Sequence, residues 1–150
     1  MCLATLTCDQ MEQAARSGKQ NIAEGSVASP TSKETEIKLT NVAKASLEEL
    51  VLDYEDYLRQ HSLAKWDAEH PRIQALRAYL KSERFLANPM EYANRYSAEE
   101  FCNAMITLIS QCKYLLRRLI AKQQEQFIKE GGIKEKMYKV RTEHRAHPKK

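Results

Sequence analysis

The sequence predicts an all-α protein, and three observations support this prediction. The chain of 150 residues contains only four glycines and four prolines, too few for the frequent turns of an all-β fold. Residues that favour helices, such as Ala, Leu, Glu and Lys, dominate the composition. Two long segments repeat apolar residues at the spacing of an amphipathic helix. The length suits a single domain with one core.

The first predicted helix covers residues 9–24 and follows an irregular N-terminus of residues 1–8. Gly25 stands where a left-handed C-terminal cap would end this helix. A short loop of small residues that includes Pro30 comes next. We therefore expect the chain to turn directly after Gly25.

The second predicted helix covers residues 32–60 and is the most regular amphipathic segment. Thr31 and Glu34 have the spacing of a capping box at its start. Its apolar face follows a period of 3.6 residues. The residues of that face are Leu39, Val42, Ala43, Ser46, Leu47, Leu50, Tyr54, Tyr57 and Leu58.

Two further helices are predicted after connections that contain Trp66 and the Asn88–Pro89 pair. The third covers residues 71–85, because Pro71 suits a first helical position. The fourth covers residues 97–130, where Ser97 and Glu100 form a second capping box. The helical bundle thus extends over residues 9–130.

The helix predicted over residues 97–130 has two adjacent apolar stripes. One contains Phe101, Met105, Leu108, Cys112, Leu115 and Leu119. A single bundle can cover one stripe, so the other requires the C-terminal segment or another subunit. We predict an oligomer interface at the second stripe, formed by Ile109, Leu116 and Ile120.

Charge is distributed unevenly along the chain. Residues 1–112 contain 12 Lys and Arg against 16 Asp and Glu, whereas residues 113–150 contain 12 against 4. Residues 131–150, after Gly131–Gly132, are predicted to form a basic helix and tail, here called the suffix. Clustered cations bind phosphate backbones, and Tyr138 could stack on a base. The predicted nucleic-acid contacts are Lys113, Arg117, Arg118, Lys122, Lys134, Lys139, Arg141 and Arg145. A solubilising basic surface is the alternative.

No residue pattern indicates catalysis, a metal or a cofactor, so we predict a non-enzymatic protein. Residues 17–20 (SGKQ) lack the first glycine and the Mg²⁺-binding hydroxyl of a phosphate loop. His144 and His147 have no neighbouring Cys or Asp to complete a metal site. The four cysteines show no CxxC spacing, which favours reduced thiols. Neither a signal peptide nor a membrane-spanning run is evident, so we expect a cytoplasmic protein.

Three segments carry a resemblance to a known family. Residues 16–25 read RSGKQNIAEG and residues 36–50 read EIKLTNVAKASLEEL. Both resemble the bacterial four-helix-bundle family of 23S rRNA intervening-sequence proteins. Residues 127–138 (FIKEGGIKEKMY) resemble the subgroup of this family that carries a C-terminal suffix domain.

The resemblance implies an antiparallel four-helix bundle, assembly into homo-oligomers such as ring-like pentamers, and no enzymatic activity. It also favours association with RNA or a ribonucleoprotein. Family members begin with a long helix that this chain lacks before residue 9, so we expect a truncated first helix or a native start upstream of Met1. The alternative function is a protein-interaction scaffold without a role in nucleic-acid binding.

Overall fold

The structure is a computed structural model of the chain. The structure describes the backbone of residues 3–89, 91 and 95–146, and the side chains of these residues from Cys8 onward. Within these residues the fold is all-helical and contains no strand, as the composition predicts. Its helices are α1 (Leu3–Ala28), α2 (Lys33–Gln60), α3 (Pro71–Tyr79), α4 (Glu83–Ala87), α5 (Ala98–Glu130) and α6 (Ile133–Ala146).

The chain divides into two compact units. Unit 1 comprises Met1–Ala15 and Leu47–Tyr114, and unit 2 comprises Arg16–Ser46 and Leu115–Lys150. The long helices α1, α2 and α5 contribute residues to both units.

In unit 2, α1 packs against the first half of α2 in the opposite direction. The hydroxyl oxygens of Ser17 and Ser46 are 2.9 Å apart, and Gly25 lies against Leu39 nearer the turn. Ser46 is buried in this contact. Because the connection between α1 and α2 is short, the two helices pack as antiparallel neighbours.

The predicted end of the first helix at Gly25 is wrong, because α1 continues to Ala28. Gly25 is buried within the helix and lacks the positive φ of a C-terminal cap. A Cβ at Gly25 would lie 3.4 Å from the Cβ of Leu39. This is an ordinary contact distance, so Gly25 is an interior position of α1 and does not end the helix.

The predicted irregular N-terminus is also corrected, since α1 already begins at Leu3. Residues 3–8 contain no glycine or proline that would interrupt a helix. The cap of α2 shifts by one residue: Ser32 Oγ accepts the Thr35 N–H at 3.2 Å. The Thr31 hydroxyl instead donates to the Ala28 carbonyl at the end of α1.

The helix predicted over residues 71–85 is divided into α3 and α4. Pro71 begins α3 as predicted. Ser82 causes the division: its hydroxyl donates to the Tyr79 carbonyl and accepts the Phe85 N–H, which caps α4. By contrast, the capping box of Ser97 and Glu100 is confirmed by both of its hydrogen bonds.

In unit 1, α5 runs antiparallel to the second half of α2. Lys113 pairs with Glu48 at 3.5 Å, while the ring of Phe101 packs edge-on against Tyr54 with centroids 6.3 Å apart. Burial raises the pKa of Tyr54 to about 12. This side chain is therefore a neutral member of the core.

The connection between α2 and α3 is fastened to α5 by Asn103. The Asn103 side chain is almost fully buried. Its oxygen accepts the Trp66 backbone N–H at 2.8 Å, and its nitrogen donates to the Ala64 carbonyl at 2.9 Å. Glu99 completes the contact, since its carboxylate accepts the Ala64 N–H and the Trp66 indole N–H. We call these four residues the Trp66 clasp.

A second buried amide, Gln123, fastens α5 to α2 in unit 2. Its side-chain nitrogen donates to Glu36 at 3.0 Å and to the Thr40 hydroxyl at 3.2 Å. Burial by itself would raise the pKa of Glu36, but hydrogen bonds from three neighbouring side chains outweigh burial and lower it. Glu36 is thus a hydrogen-bonded carboxylate.

The burial of the two apolar stripes of α5 differs from the prediction. Ile109, Leu116 and Ile120, predicted as an oligomer interface, are buried inside the chain. Leu115 and Leu119, assigned to the core stripe, are 61% and 41% exposed. Both stripes are apolar, so their composition does not determine which faces inward. Asn103 and Gln123 lie on the buried side and have partners there.

Replacing Gly25 with alanine should stabilise the protein. The added Cβ meets Leu39 and the Glu36 carbonyl at 3.4 and 3.5 Å, which are ordinary contacts. Alanine in a helix interior is about 0.5–1 kcal/mol more favourable than glycine. Urea denaturation of Gly25→Ala should show this gain, whereas Gly25→Leu should be destabilised by crowding Leu39. A loss of stability in Gly25→Ala would contradict the helical conformation of Gly25.

The Trp66 clasp should loosen in acid because of Glu99. Hydrogen bonds from the Ala64 N–H and the Trp66 indole hold the pKa of Glu99 below its ordinary value. Its contribution is therefore complete above the ordinary glutamate pKa and is lost as pH falls through the lower folded value.

This pH dependence can be followed by the fluorescence of Trp66, the only tryptophan. In wild type, the emission of Trp66 should shift toward that of exposed tryptophan on acidification. Glu99→Gln should show part of that shift already at neutral pH and a weaker acid response. Glu34→Gln, which changes an exposed carboxylate of α2, is the control. Identical acid profiles for wild type and Glu99→Gln would contradict the role of Glu99.

Candidate nucleic-acid interface

The basic helix α6 begins at a glycine pair that fixes its entry geometry. Gly131 has a φ of 72° and its N–H donates to the Phe127 carbonyl at 2.9 Å, which ends α5. The Gly132 N–H donates to the carboxylate of Glu135 in the first turn of α6. This is one half of a capping box. The predicted end of α5 at the glycine pair is confirmed.

One face of α6 carries a stripe of cations. At about 100° per residue, Lys134, Arg141 and Arg145 lie within about 40° of one another around the helix axis. All three are exposed, and Tyr138, which is 73% exposed, borders them. Among the described residues none of the three cations has a carboxylate partner in a salt bridge. We call Lys134, Arg141 and Arg145 the α6 basic stripe.

Lys139, also predicted as a contact, lies on a different face of α6. It is more than about 100° from every member of the α6 basic stripe. Lys136 is similarly separate, since it pairs with Glu130 at 3.1 Å across the glycine pair. The α6 basic stripe therefore contains three of the four suffix cations that were predicted to bind nucleic acid.

The predicted cations of α5 are placed unequally. Arg117, Arg118 and Lys122 are exposed and belong to unit 2, as does α6. Lys113 belongs to unit 1 and pairs with Glu48, which leaves only 18% of its side chain exposed. Lys113 thus joins α2 to α5 and is less accessible than the other three, and its role in binding stays a prediction.

The apolar side of α6 is uncovered within the chain. Ile133, Met137 and Val140 lie next to the α6 basic stripe and are each more than half exposed. No residue of α6 is buried. The helix therefore presents a continuous surface of methylene groups, an aromatic ring and guanidinium groups.

Metal and thiol chemistry receive no support from the described residues. None of their His, Cys, Asp and Glu side chains form a group of three that could hold a metal ion. His144 is exposed on α6, and His147 lies outside the described residues. Cys8, Cys102 and Cys112 are free thiols. Burial raises the pKa of Cys102 and Cys112, which keeps both thiols protonated at neutral pH.

Over the described residues, every helix is too short or too polar to cross a lipid bilayer.

Comparisons with known proteins return no relative: no protein-family model, curated protein or solved structure matches the chain.

Proposed function

We propose that the protein is a non-enzymatic homo-oligomer of the antiparallel four-helix-bundle type that binds RNA, alone or in a ribonucleoprotein, through α6. The observation that carries this proposal is the α6 basic stripe. Its three cations are exposed, share one helix face and lack carboxylate partners among the described residues.

A phosphate backbone fits this arrangement for electrostatic reasons. Aligned cations that neutralise phosphates release condensed counterions from RNA, which is the main source of non-specific affinity. Tyr138, exposed beside the stripe, offers a flat ring on which an unpaired base can stack. Arg117, Arg118 and Lys122 add positive charge within the same unit.

The bundle assignment rests on antiparallel packing within each unit. In unit 2, α1 pairs with α2 through Ser17–Ser46 and Gly25–Leu39. In unit 1, α2 pairs with α5 through Glu48–Lys113. The resemblance of residues 16–25 and 36–50 to the 23S rRNA intervening-sequence proteins agrees with this packing.

Self-association is assigned to a different stripe from the one predicted. Leu115 and Leu119 are one helical turn apart on the exposed side of α5. Two exposed leucines on one face favour contact with a second copy, because each can remove apolar surface from water. A family-like pentamer is one closed assembly that this contact allows.

Reversing the charge of the α6 basic stripe should abolish most RNA binding. The test variant combines Lys134→Glu, Arg141→Glu and Arg145→Glu. Affinity for a fluorescent single-stranded RNA should fall at least about tenfold, and the salt dependence should weaken by about 0.7 per lost phosphate contact. Fluorescence anisotropy across a salt series measures both quantities.

The matched control reverses three exposed cations elsewhere, with the same change in net charge. It combines Lys19→Glu, Lys38→Glu and Lys81→Glu. The control should retain most of the wild-type affinity at equal salt. Equal losses in both variants would show that only net charge matters, and no RNA binding by wild type would overturn the proposal.

Replacing Leu115 and Leu119 together with glutamate should convert the oligomer into a folded monomer. Both positions are exposed in the monomer, so the introduced glutamates remain in contact with water and do not disturb its core. Light scattering measures the mass, and circular dichroism checks the helix content. Leu116→Glu is the contrasting variant, because it places a charge in the core and should unfold the chain. A monomeric wild type, or an unchanged mass in the double variant, would refute this interface.

A protein-interaction scaffold is the second candidate function. The uncovered apolar side of α6, formed by Ile133, Met137 and Val140, favours it, since an amphipathic helix can dock in a groove of a partner protein. This function predicts no RNA affinity in wild type at any salt concentration. The anisotropy experiment above therefore separates the two candidates.

A further inference from the structure

A cavity of about 390 Å³ is formed by residues of unit 1, whereas the proposed RNA-binding helix belongs to unit 2. This volume falls within the range of about 300–1,000 Å³ that is usual for small-molecule sites. Its walls come from the connection before α3, from α3 and α4, and from the first turns of α5. The lining residues are Trp66, Arg72, Ala75, Leu76, Tyr79, Arg84, Tyr96, Glu100 and Ala104.

The cavity is held open by small residues and rigid neighbours. Ala75 on α3 and Ala104 on α5 leave the space that larger side chains would fill. Tyr79 is fixed edge-on against Phe85, with ring centroids 5.6 Å apart. The Trp66 clasp fixes the indole ring, because the indole N–H donates a hydrogen bond to Glu99. The site is consequently preformed, which reduces the entropic cost of binding.

Each cation of the lining has a carboxylate partner. Arg72 pairs with Glu100, also a lining residue, and Arg84 pairs with Glu91. Hydrogen bonds from Ser97 lower the pKa of Glu100, so its charge is present at neutral pH. Arg84 is held by Glu91 through two hydrogen bonds of 2.6 and 2.9 Å.

Arg72 retains capacity to bind a ligand. One terminal nitrogen of its guanidinium donates to Glu100 at 2.7 Å. Among the described residues the remaining guanidinium N–H groups have no acceptor. The guanidinium carbon lies 5.4 Å from the centre of the Trp66 ring, and Trp66 also stacks on His70 with centroids 4.6 Å apart. These aromatic contacts hold Arg72 at the cavity wall.

We infer that this cavity binds a small aromatic carboxylate. The aromatic and aliphatic walls, Trp66, Tyr79 and Leu76 among them, take a planar apolar ring. The unused N–H groups of Arg72 take the carboxylate by charge-assisted hydrogen bonds. Glu100 disfavours ligands with a second negative charge, because it would lie close to that charge.

The indole N–H of Trp66 provides a specific reporter for the site. Trp66 is the only tryptophan, so the indole region of a ¹H–¹⁵N correlation spectrum contains one signal. Full-length ¹⁵N-labelled protein is titrated with 3-phenylpropanoate as the probe. The neutral 3-phenylpropan-1-ol and the non-aromatic hexanoate serve as comparison ligands.

The expected result is a saturable shift of the indole signal with 3-phenylpropanoate and at least about tenfold weaker binding of both comparison ligands. Arg72→Gln should weaken 3-phenylpropanoate about tenfold and remove its preference over the alcohol. Ala104→Leu should abolish binding by filling the cavity. Arg59→Gln and Ala121→Leu, two exposed positions away from the cavity, should bind like wild type.

Three outcomes would overturn the inference. The indole signal could remain unmoved at millimolar 3-phenylpropanoate, the alcohol or hexanoate could bind equally well, or Ala104→Leu could bind like wild type while folded. Circular dichroism and the dispersion of the amide spectrum establish that each variant is folded. None of these outcomes depends on RNA binding, so the cavity and α6 are tested independently.

Discussion

The fold depends on which face of α5 is buried, because this helix has more apolar surface than one chain can cover. Burying an unpaired amide costs as much as burying a leucine gains, on the order of 2 kcal/mol each. Asn103 and Gln123 resolve the choice: both have hydrogen-bond partners on the buried side, one in the α2–α3 connection and one on α2. Leu115 and Leu119 are left outside as a consequence. Polar contacts therefore contribute to the rotation of α5 together with hydrophobic burial.

The sequence was sufficient to predict most of the helices but not all of the residues at which they begin and end. The starts of α3 at Pro71 and of α5 after Ser97, and the end of α5 at Gly131, depend on local interactions. Each was predicted correctly. The role of Gly25 was predicted wrongly because a glycine near a turn can cap a helix or lie within it, and only the backbone conformation, which lacks a positive φ here, distinguishes the two. The division between α3 and α4 depends on a single serine hydroxyl, which is a weak signal in a helical pattern.

The candidate interface was predictable to the extent that it is local. The α6 basic stripe follows from helical periodicity and includes Arg141 and Arg145 as predicted. The ion pair of Lys113 with Glu48 was not predicted, because Glu48 is distant in sequence and becomes adjacent only when α2 and α5 pack. The aromatic cavity was not predicted for the same reason, since Trp66 and Arg72 form it only together with residues of α5 that are distant in sequence. Glu100 was recognised as a cap, and its second contact with Arg72 required the fold.

The electrostatics of α6 suggest why its cations are suited to a partner outside the chain. Arg141 and Arg145 are one turn apart, and like charges at this spacing destabilise a helix by about 0.2–0.5 kcal/mol. Elsewhere in the suffix a cation is compensated by a carboxylate, as in the salt bridge of Lys136 with Glu130. The α6 basic stripe has no comparable relief among the described residues. Because α6 has no buried residue, packing against its own chain stabilises this helix little. A phosphate backbone lying along the stripe would remove the repulsion and stabilise α6, so binding and helix order should increase together.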